Sequence, residues 1–275
     1  MDIEALFQQP NALPTAPKVV QDLISSFNDD HVSTEEIAHK LAADPVLSAK
    51  LLRLANSAYY HVSRSVSTVN QAVVMLGFIT VRTLVISSSL VNGFKSAPGL
   101  DLKQFWRYSL NTAAAAKWLA KEADENSDLA FTVGMTHGIG QLVIHAGMPA
   151  QAVQLDKTSS PFDADRFAKE RDAWGYDYTE VGAELAKRWK FPQAFSDAIR
   201  GFPYPLKDQT FDRMAGIIHL AAWVARAHEN HQPPEEIRAS YPTKVAAKLG
   251  LAPYLMLDAM PPLSELCEGL EDLVE

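Results

Sequence analysis

The group best suited to chemistry in this sequence is a histidine set in an apolar run. In TVGMTHGIGQLVI, residues 132–144, His137 stands among helix-forming residues and is followed at once by Gly138. An imidazole in that setting can carry a proton or ligate a metal. Both roles usually draw on a neighbouring carboxylate, and here the neighbour has no side chain. His219 also sits in an apolar stretch, which raises the prospect of a site between helices. His31, His39 and His61 lie on polar or loop-like segments and read as solvated. His228 and His231 are three apart at a helix end, where a cation complements the helix dipole more simply than it holds a metal. His145 completes the set of eight.

Other reactive constellations are absent from the sequence. It has no glycine-rich phosphate loop of the Walker or Rossmann kind and no G-x-S-x-G nucleophile elbow. Ser87, Ser88 and Ser89 fall in an apolar helix with no histidine near them in sequence, so packing or bonding back to the helix is their expected role. Cys267 is the single cysteine. It excludes an intramolecular disulfide and a multi-cysteine zinc site, and it suits a reducing, cytoplasmic setting.

The elements that must position these residues are helical almost throughout. The 275 residues are 47% hydrophobic and 21% charged, the composition of a folded globular chain. In VSTEEIAHKLAADP, Ser33 and Glu36 have capping-box spacing. Asp44 caps the next helix, Pro45 suits its first position, and Leu47, Leu51 and Leu54 recur on one face. That helix is predicted to stop near NSAYY, residues 56–60, with Asn56 and Ser57 either bonding its last backbone groups or anchoring the two halves of the chain. Thr68 and Gln71 repeat the capping-box spacing, and QAVVMLG is a short helix ended by Gly77. TVRTLVISSSLVNGF is rich in β-branched residues, but its length and the lack of strand partners favour a buried helix.

SAPGLD, residues 96–101, breaks two helical stretches at Pro98 and Gly99 and is the predicted boundary between residues 1–97 and 98–275. Helices follow around FWRYSLNTAAAAKWLAKEA, LAFTVGMTHGIGQLVI, ADRFAKERDAWG, TEVGAELAKRWK, PQAFSDAIRG and FDRMAGIIHLAAWVARAHE. Shorter ones follow PPEEI. The expected fold is an all-α, multi-helix bundle in two halves. The acidic end, with Glu265, Glu268, Glu271, Asp272 and Glu275, reads as a solvated face.

Charge and hydropathy narrow the partners. With 33 acidic against 25 basic residues the formal charge is −8, and no Lys/Arg stripe offers a phosphate track, so nucleic acid is not an expected partner. The N-terminus MDIEALFQQP lacks the pattern of a signal peptide. No uncharged apolar run reaches the ~18 residues that suggest a membrane span.

The ordered motifs together resemble the HDOD domain, a bacterial relative of the HD and HD-GYP metal-dependent phosphohydrolases. The likeness rests on LPTAPKVVQDLISSF, DPVLSAKLLRLANSAYY and AVVMLG, continued in order by FWRYSLNTA, AFTVGMTHGIGQLVI and GYDYTEVGAELAKRWKFP, and it spans roughly residues 13–226. It implies an HD-like helical core in the second half. Catalytic relatives hold divalent metal with histidines and aspartates from several helices, and the metal generates a nucleophile from bound water.

Carried over residue by residue, the resemblance implies that most of those ligands are gone. Tyr108 stands at an early histidine position. The His-Asp pair is His137 and Gly138, and the lysine that often follows it is Gln141. Tyr178 replaces the histidine of DHAEVGA, an HH pair aligns with Gly201 and Phe202, and a closing aspartate appears as Ala222. One neutral imidazole cannot replace the roughly three protein ligands a catalytic metal needs. The resemblance therefore implies a non-catalytic regulatory module that works with signalling partner proteins and carries no cofactor. The alternatives are a metal-free nucleotide or metabolite sensor and, with less support, a metal-dependent phosphohydrolase. Tyr108, His137 and Tyr178 are expected to converge on the vestigial site.

Overall fold

Helix starts in the first third follow the capping chemistry of the sequence. Asp44 accepts hydrogen bonds from the backbone N–H groups of Val46 and Leu47, at 3.0 and 3.1 Å, and Pro45 takes the first helical position. Ser33 and Thr68 also cap, accepting from Glu36 N–H and Gln71 N–H. Neither forms the reciprocal box that its spacing suggests. The Glu36 carboxylate pairs with Lys40 at 2.9 Å, and Gln71 Oε1 reaches past Thr68 to accept from Ser67 N–H. The reciprocal box lies at Asp177 and Glu180, where the sequence reading did not place one.

The structure is a computed structural model that describes residues 1–9, 12, 18–26, 33–62, 65–94, 96–207, 209–252 and 254–274; His31 and Glu275 lie outside the described residues. The fold is all-α, with no strand among the described residues. The helices are α1 (Ile3–Phe7), α2 (Lys18–Ser25), α3 (Thr34–Ala42), α4 (Pro45–Ala55), α5 (Val69–Leu76) and α6 (Phe78–Gly93). Then come α7 (Leu102–Glu122), α8 (Ser127–Thr136), α9 (Ile139–Gly147), α10 (Pro149–Asp156), α11 (Arg166–Trp174), α12 (Tyr178–Arg188), α13 (Gln193–Gly201) and α14 (Arg213–Glu229). Four short helices finish the chain: α15 (Pro234–Ala239), α16 (Thr243–Lys248), α17 (Leu255–Ala259) and α18 (Leu263–Leu266). Single 3-10 turns occupy Ala58–Tyr60 and Glu271–Leu273.

The first half packs α3 and α4 on α5, and α2 and α4 on α6. Gly77 ends α5 at φ +83°, and α6 leaves at 120° to it. TVRTLVISSSLVNGF is thus a buried helix. Ser87, Ser88 and Ser89 have buried hydroxyls with no hydrogen-bond partner, so they fill space and do not bond back to the helix. Asn56 ends α4 by donating to Leu52 O, and it also pins the following loop. It donates to Val66 O and accepts from Val66 N–H, each at 2.7 Å. The Ser57 hydroxyl makes no such bond.

The second half centres on α7, which lies against α8 and α14, while α12 lies against α9 and α13. The run Ala113–Ala116 on α7 is buried, and its small side chains let the neighbouring helices come close. The C-terminal segment closes on both halves: α18 packs on α7, and the Glu271–Leu273 turn packs on α4 and α6 with Asp272 paired to Arg53 at 3.2 Å. Among the described residues no single helix is long and apolar enough to cross a membrane.

Candidate functional site

His137 sits at the break between α8 and α9, as the C-cap of the first, with Gly138 as the N-cap of the next. Two glycines on either side set how close its neighbours come. A Cβ on Gly134 would lie 2.6 Å from Ala113 Cα, so α8 presses directly on the α7 backbone. A Cβ on Gly140 would lie 1.9 Å from Tyr178 O, so the start of α12 presses on α9. These contacts bring Tyr108, one turn before Ala113 on α7, and Tyr178, first residue of α12, to the same imidazole.

The result is an aromatic enclosure. The His137 ring meets Tyr108 edge-on at 5.1 Å and Phe202 at 5.3 Å. Tyr108 meets Phe162 at 5.4 Å, and Tyr178 tilts against Phe202 at 6.3 Å. Tyr108, His137, Gly138 and Tyr178 line one cavity, together with Gln141 and Arg226. Ala222 contributes backbone: the Tyr108 hydroxyl donates to its carbonyl oxygen at 3.4 Å. Phe202, at the position aligned with a histidine, is buried and packs on His137, while Gly201 ends α13. His219 does not line the cavity, and its Nδ1 lies 2.8 Å from Phe202 O. The space left is about 10 Å³, room for about one water molecule.

Electrostatics follow from this burial. Burial lowers the His137 pKa to about 4, helped by the Arg226 charge and opposed by the bond to Gly134 O. The ring is therefore neutral at pH 7, and with Nδ1 committed to that carbonyl, Nε2 is the nitrogen left for the cavity. Burial also raises the Tyr178 phenol well above its ordinary value, so it is a neutral hydroxyl.

Arg226 was not foreseen. It lies mostly buried on α14, four residues after Ala222 and seven after His219, so it shares their helix face. It lines the cavity beside Tyr108, Tyr178 and Asp163. That helical spacing was the available signal, and a reading confined to positions of lost ligands passed over it.

These side chains do not fit a divalent cation. A permanent positive charge lines the cavity, the one imidazole offers a single nitrogen and Asp163 the one carboxylate, and the Tyr178 phenol is neutral where a metal needs it deprotonated. Gly138 is tight for the missing carboxylate, because a Cβ there would lie 3.2 Å from the Phe105 ring, which would have to shift by a few tenths of an ångström. Among the described residues, no three His, Cys, Asp or Glu side chains group to hold a metal.

A buried ionic chain braces the outer side of the cavity. Arg166, fully buried, pairs with Glu170 at 2.8 Å and with Asp156 at 2.9 Å. Asp156 meets His145 Nε2 at 3.0 Å, and His145 Nδ1 lies 2.8 Å from Gln141 O. Glu170 also accepts from Tyr178 N–H at 2.7 Å, fixing the start of α12. Burial pushes the Glu170 carboxyl up to about 7 against the pull of Arg166. On the α7 side, Arg107 grips the buried Glu229 of α14 with two bonds, at 3.0 and 2.7 Å.

Comparison with known proteins gives one family. The HDOD domain model matches residues 13–202. A solved structure from Shewanella amazonensis SB2B, provisionally named a phosphohydrolase, is 32% identical, with 98% of each chain covered and a TM-score of 0.79. A Marinobacter aquaeolei VT8 protein, provisionally named for signal transduction, is 22% identical, covers 95% of this chain and 58% of its own, and has a TM-score of 0.69. A curated relative from Treponema pallidum (strain Nichols) is 22% identical over 231 residues, 83% of this chain and 45% of that protein. The chain thus spans about half the length of that curated relative.

Proposed function

From the premise that this chain belongs to the HDOD domain family, we propose that it is a non-catalytic regulatory module that signals by binding a partner protein. The carrying observation is the cavity itself. The place where HD relatives hold metal is lined by an arginine, two tyrosines, a single carboxylate, Asp163, and a single neutral histidine, and is packed with phenylalanine. A fold can persist after its site has lost the chemistry. The signalling name of the Marinobacter protein supports a regulatory role, and the provisional phosphohydrolase name of the Shewanella protein states the competing reading that the assay below decides.

The same proposal takes residues 1–97 as one functional half and residues 98–275 as the other, in a bacterial cytoplasmic protein without cofactor. Apolar side chains exposed on the first half, Val46, Val74 and Ile79, are candidates for partner contact.

The test is direct. Protein purified with added Mn²⁺ or Fe²⁺ is assayed for bound metal and for phosphodiesterase turnover. Neither is expected. Stoichiometric metal together with turnover would overturn the proposal.

A further inference from the structure

A second cleft opens where the two halves meet the C-terminal segment. One face of α7 presents Lys117, Trp118 and Lys121, the Ala58–Tyr60 turn brings Tyr59, and α18 with the residues after it brings Glu265 and Glu268. His61 stands exposed at the rim. The walls are fixed by packing. A Cβ on Gly269, at φ +80°, would lie 2.7 Å from Tyr59 N, so the C-terminal segment presses directly on the turn. The Cys267 thiol donates to Asn111 Oδ1 at 3.3 Å and ties the same segment to α7. The space left between these walls is about 300 Å³, the size of a small-molecule site.

The cleft carries charges of both signs and holds them apart. Lys117 is engaged: its ammonium pairs with Asp128 at 3.4 Å and lies over the Tyr59 and Phe131 rings, at 5.5 and 5.8 Å. Lys121, Glu265 and Glu268 line the same space, yet none of them pairs with an opposite charge among the described residues. One ammonium and two carboxylates therefore face shared solvent, beside the partly buried ring of Trp118. Their complement is one anion and two cations on one small molecule. We propose that the cleft binds a basic α-amino acid. Its carboxylate meets Lys121, its α-ammonium and side-chain cation meet Glu265 and Glu268, and its aliphatic stem lies along Trp118. A single exposed ion pair contributes little, so recognition needs all three charges at once. A simple anion finds one partner and two repelling carboxylates. The site is separate from the aromatic cavity around His137, and its ligand touches both halves of the chain.

The experiment titrates the full chain with L-arginine and L-lysine at constant ionic strength, followed by calorimetry and by melting temperature. Arginine is compared with citrulline, which lacks the side-chain charge, and with agmatine, which lacks the carboxylate. Lysine is compared in the same way with norleucine and cadaverine. At least one of the two amino acids should bind saturably, with each of its analogues about fivefold weaker, the upper worth of one exposed ion pair. Lys121→Met should weaken the amino acid about fivefold and leave its decarboxylated amine unchanged. Glu265→Gln combined with Glu268→Gln should weaken both. All three side chains are exposed, so these variants should melt like wild type without ligand. Absence of saturable binding, equal affinity for the amino acid and either analogue, or unchanged affinity in both variants overturns the site. Each of those results leaves the non-catalytic, partner-binding reading standing, since bound metal and turnover decide that separately.

Discussion

His137 Nδ1 lies 2.6 Å from the carbonyl oxygen of Gly134, one turn back along the chain. The contact fixes the tautomer, since the carbonyl accepts and Nδ1 must donate. Burial then holds the ring neutral, with its pKa lowered from 6.5 to about 4. Between those values the unfolded chain binds the extra proton and the folded chain does not. The stability that the neutral ring contributes is therefore complete above pH 6.5 and lost as pH falls through about 4, by about 3 kcal/mol in all. Glu170 acts in the opposite sense, its contribution being complete below pH 4.5 and lost as pH rises through about 7. The quantity to measure is the difference in unfolding free energy between wild type and His137→Gln from pH 7 to pH 4. It should shrink by about 3 kcal/mol, and a constant difference would show that the ring titrates normally.

Gly140→Ala should be among the most damaging small substitutions in the chain. Its Cβ would stand 1.9 Å from Tyr178 O and 2.8 Å from Gly182 N, both backbone atoms that cannot swing aside. Parting α9 from α12 should cost about 3 kcal/mol. Gly201→Ala is the control: the nearest atom to its Cβ is Ala215 Cβ at 3.4 Å, and alanine is the better helix former. Chemical denaturation of the two variants should give a large loss for the first and little change for the second.

The sequence showed the helices well where local chemistry decides them, and the site only in part. Asp44 with Pro45, and Gly77, marked their boundaries because capping and positive φ depend on a few adjacent residues. The partners of Glu36 and Gln71 were misjudged, because an exposed side chain chooses among several acceptors and donors of similar worth. Tyr108, His137 and Tyr178 were legible through the resemblance, which names positions in a known order. Arg226 and Phe105 were not. The spacing of Arg226 from Ala222 puts it on the same helix face, but what gives Arg226 and Phe105 their meaning is distance across helices, which neither VARAHE nor LKQFWRYS states. The same holds for Arg166, Glu170, Asp156 and His145, a buried chain whose members come from three helices.

Asn56→Ala should loosen the loop after α4 more than it harms the helix. The Asn56 side chain makes three bonds of 2.7 Å, two of them to the backbone of Val66. Their loss should cost about 2 kcal/mol, set against about 1 kcal/mol for removing the Asp44 cap with Asp44→Ala. Amide hydrogen exchange separates the two. The Val66 N–H should lose protection in Asn56→Ala alone, and the Val46 and Leu47 amides in Asp44→Ala alone.

Restoring the missing carboxylate should not restore a metal. Gly138→Asp rebuilds the His-Asp pair in sequence, but its side chain must push past the Phe105 ring and enter a cavity lined by Arg226. The carboxylate then meets a guanidinium that repels a divalent cation, while the positions on α7 and α12 still present tyrosine. Metal ligation needs about three donors at once, so one added ligand gains little. Purified Gly138→Asp is expected to hold no stoichiometric metal, and its melting temperature should not respond to Mn²⁺. A clear Mn²⁺-dependent rise in this single variant would mean that Arg226 and the two tyrosines leave room for a cation, and that the ancestral chemistry lies one substitution away.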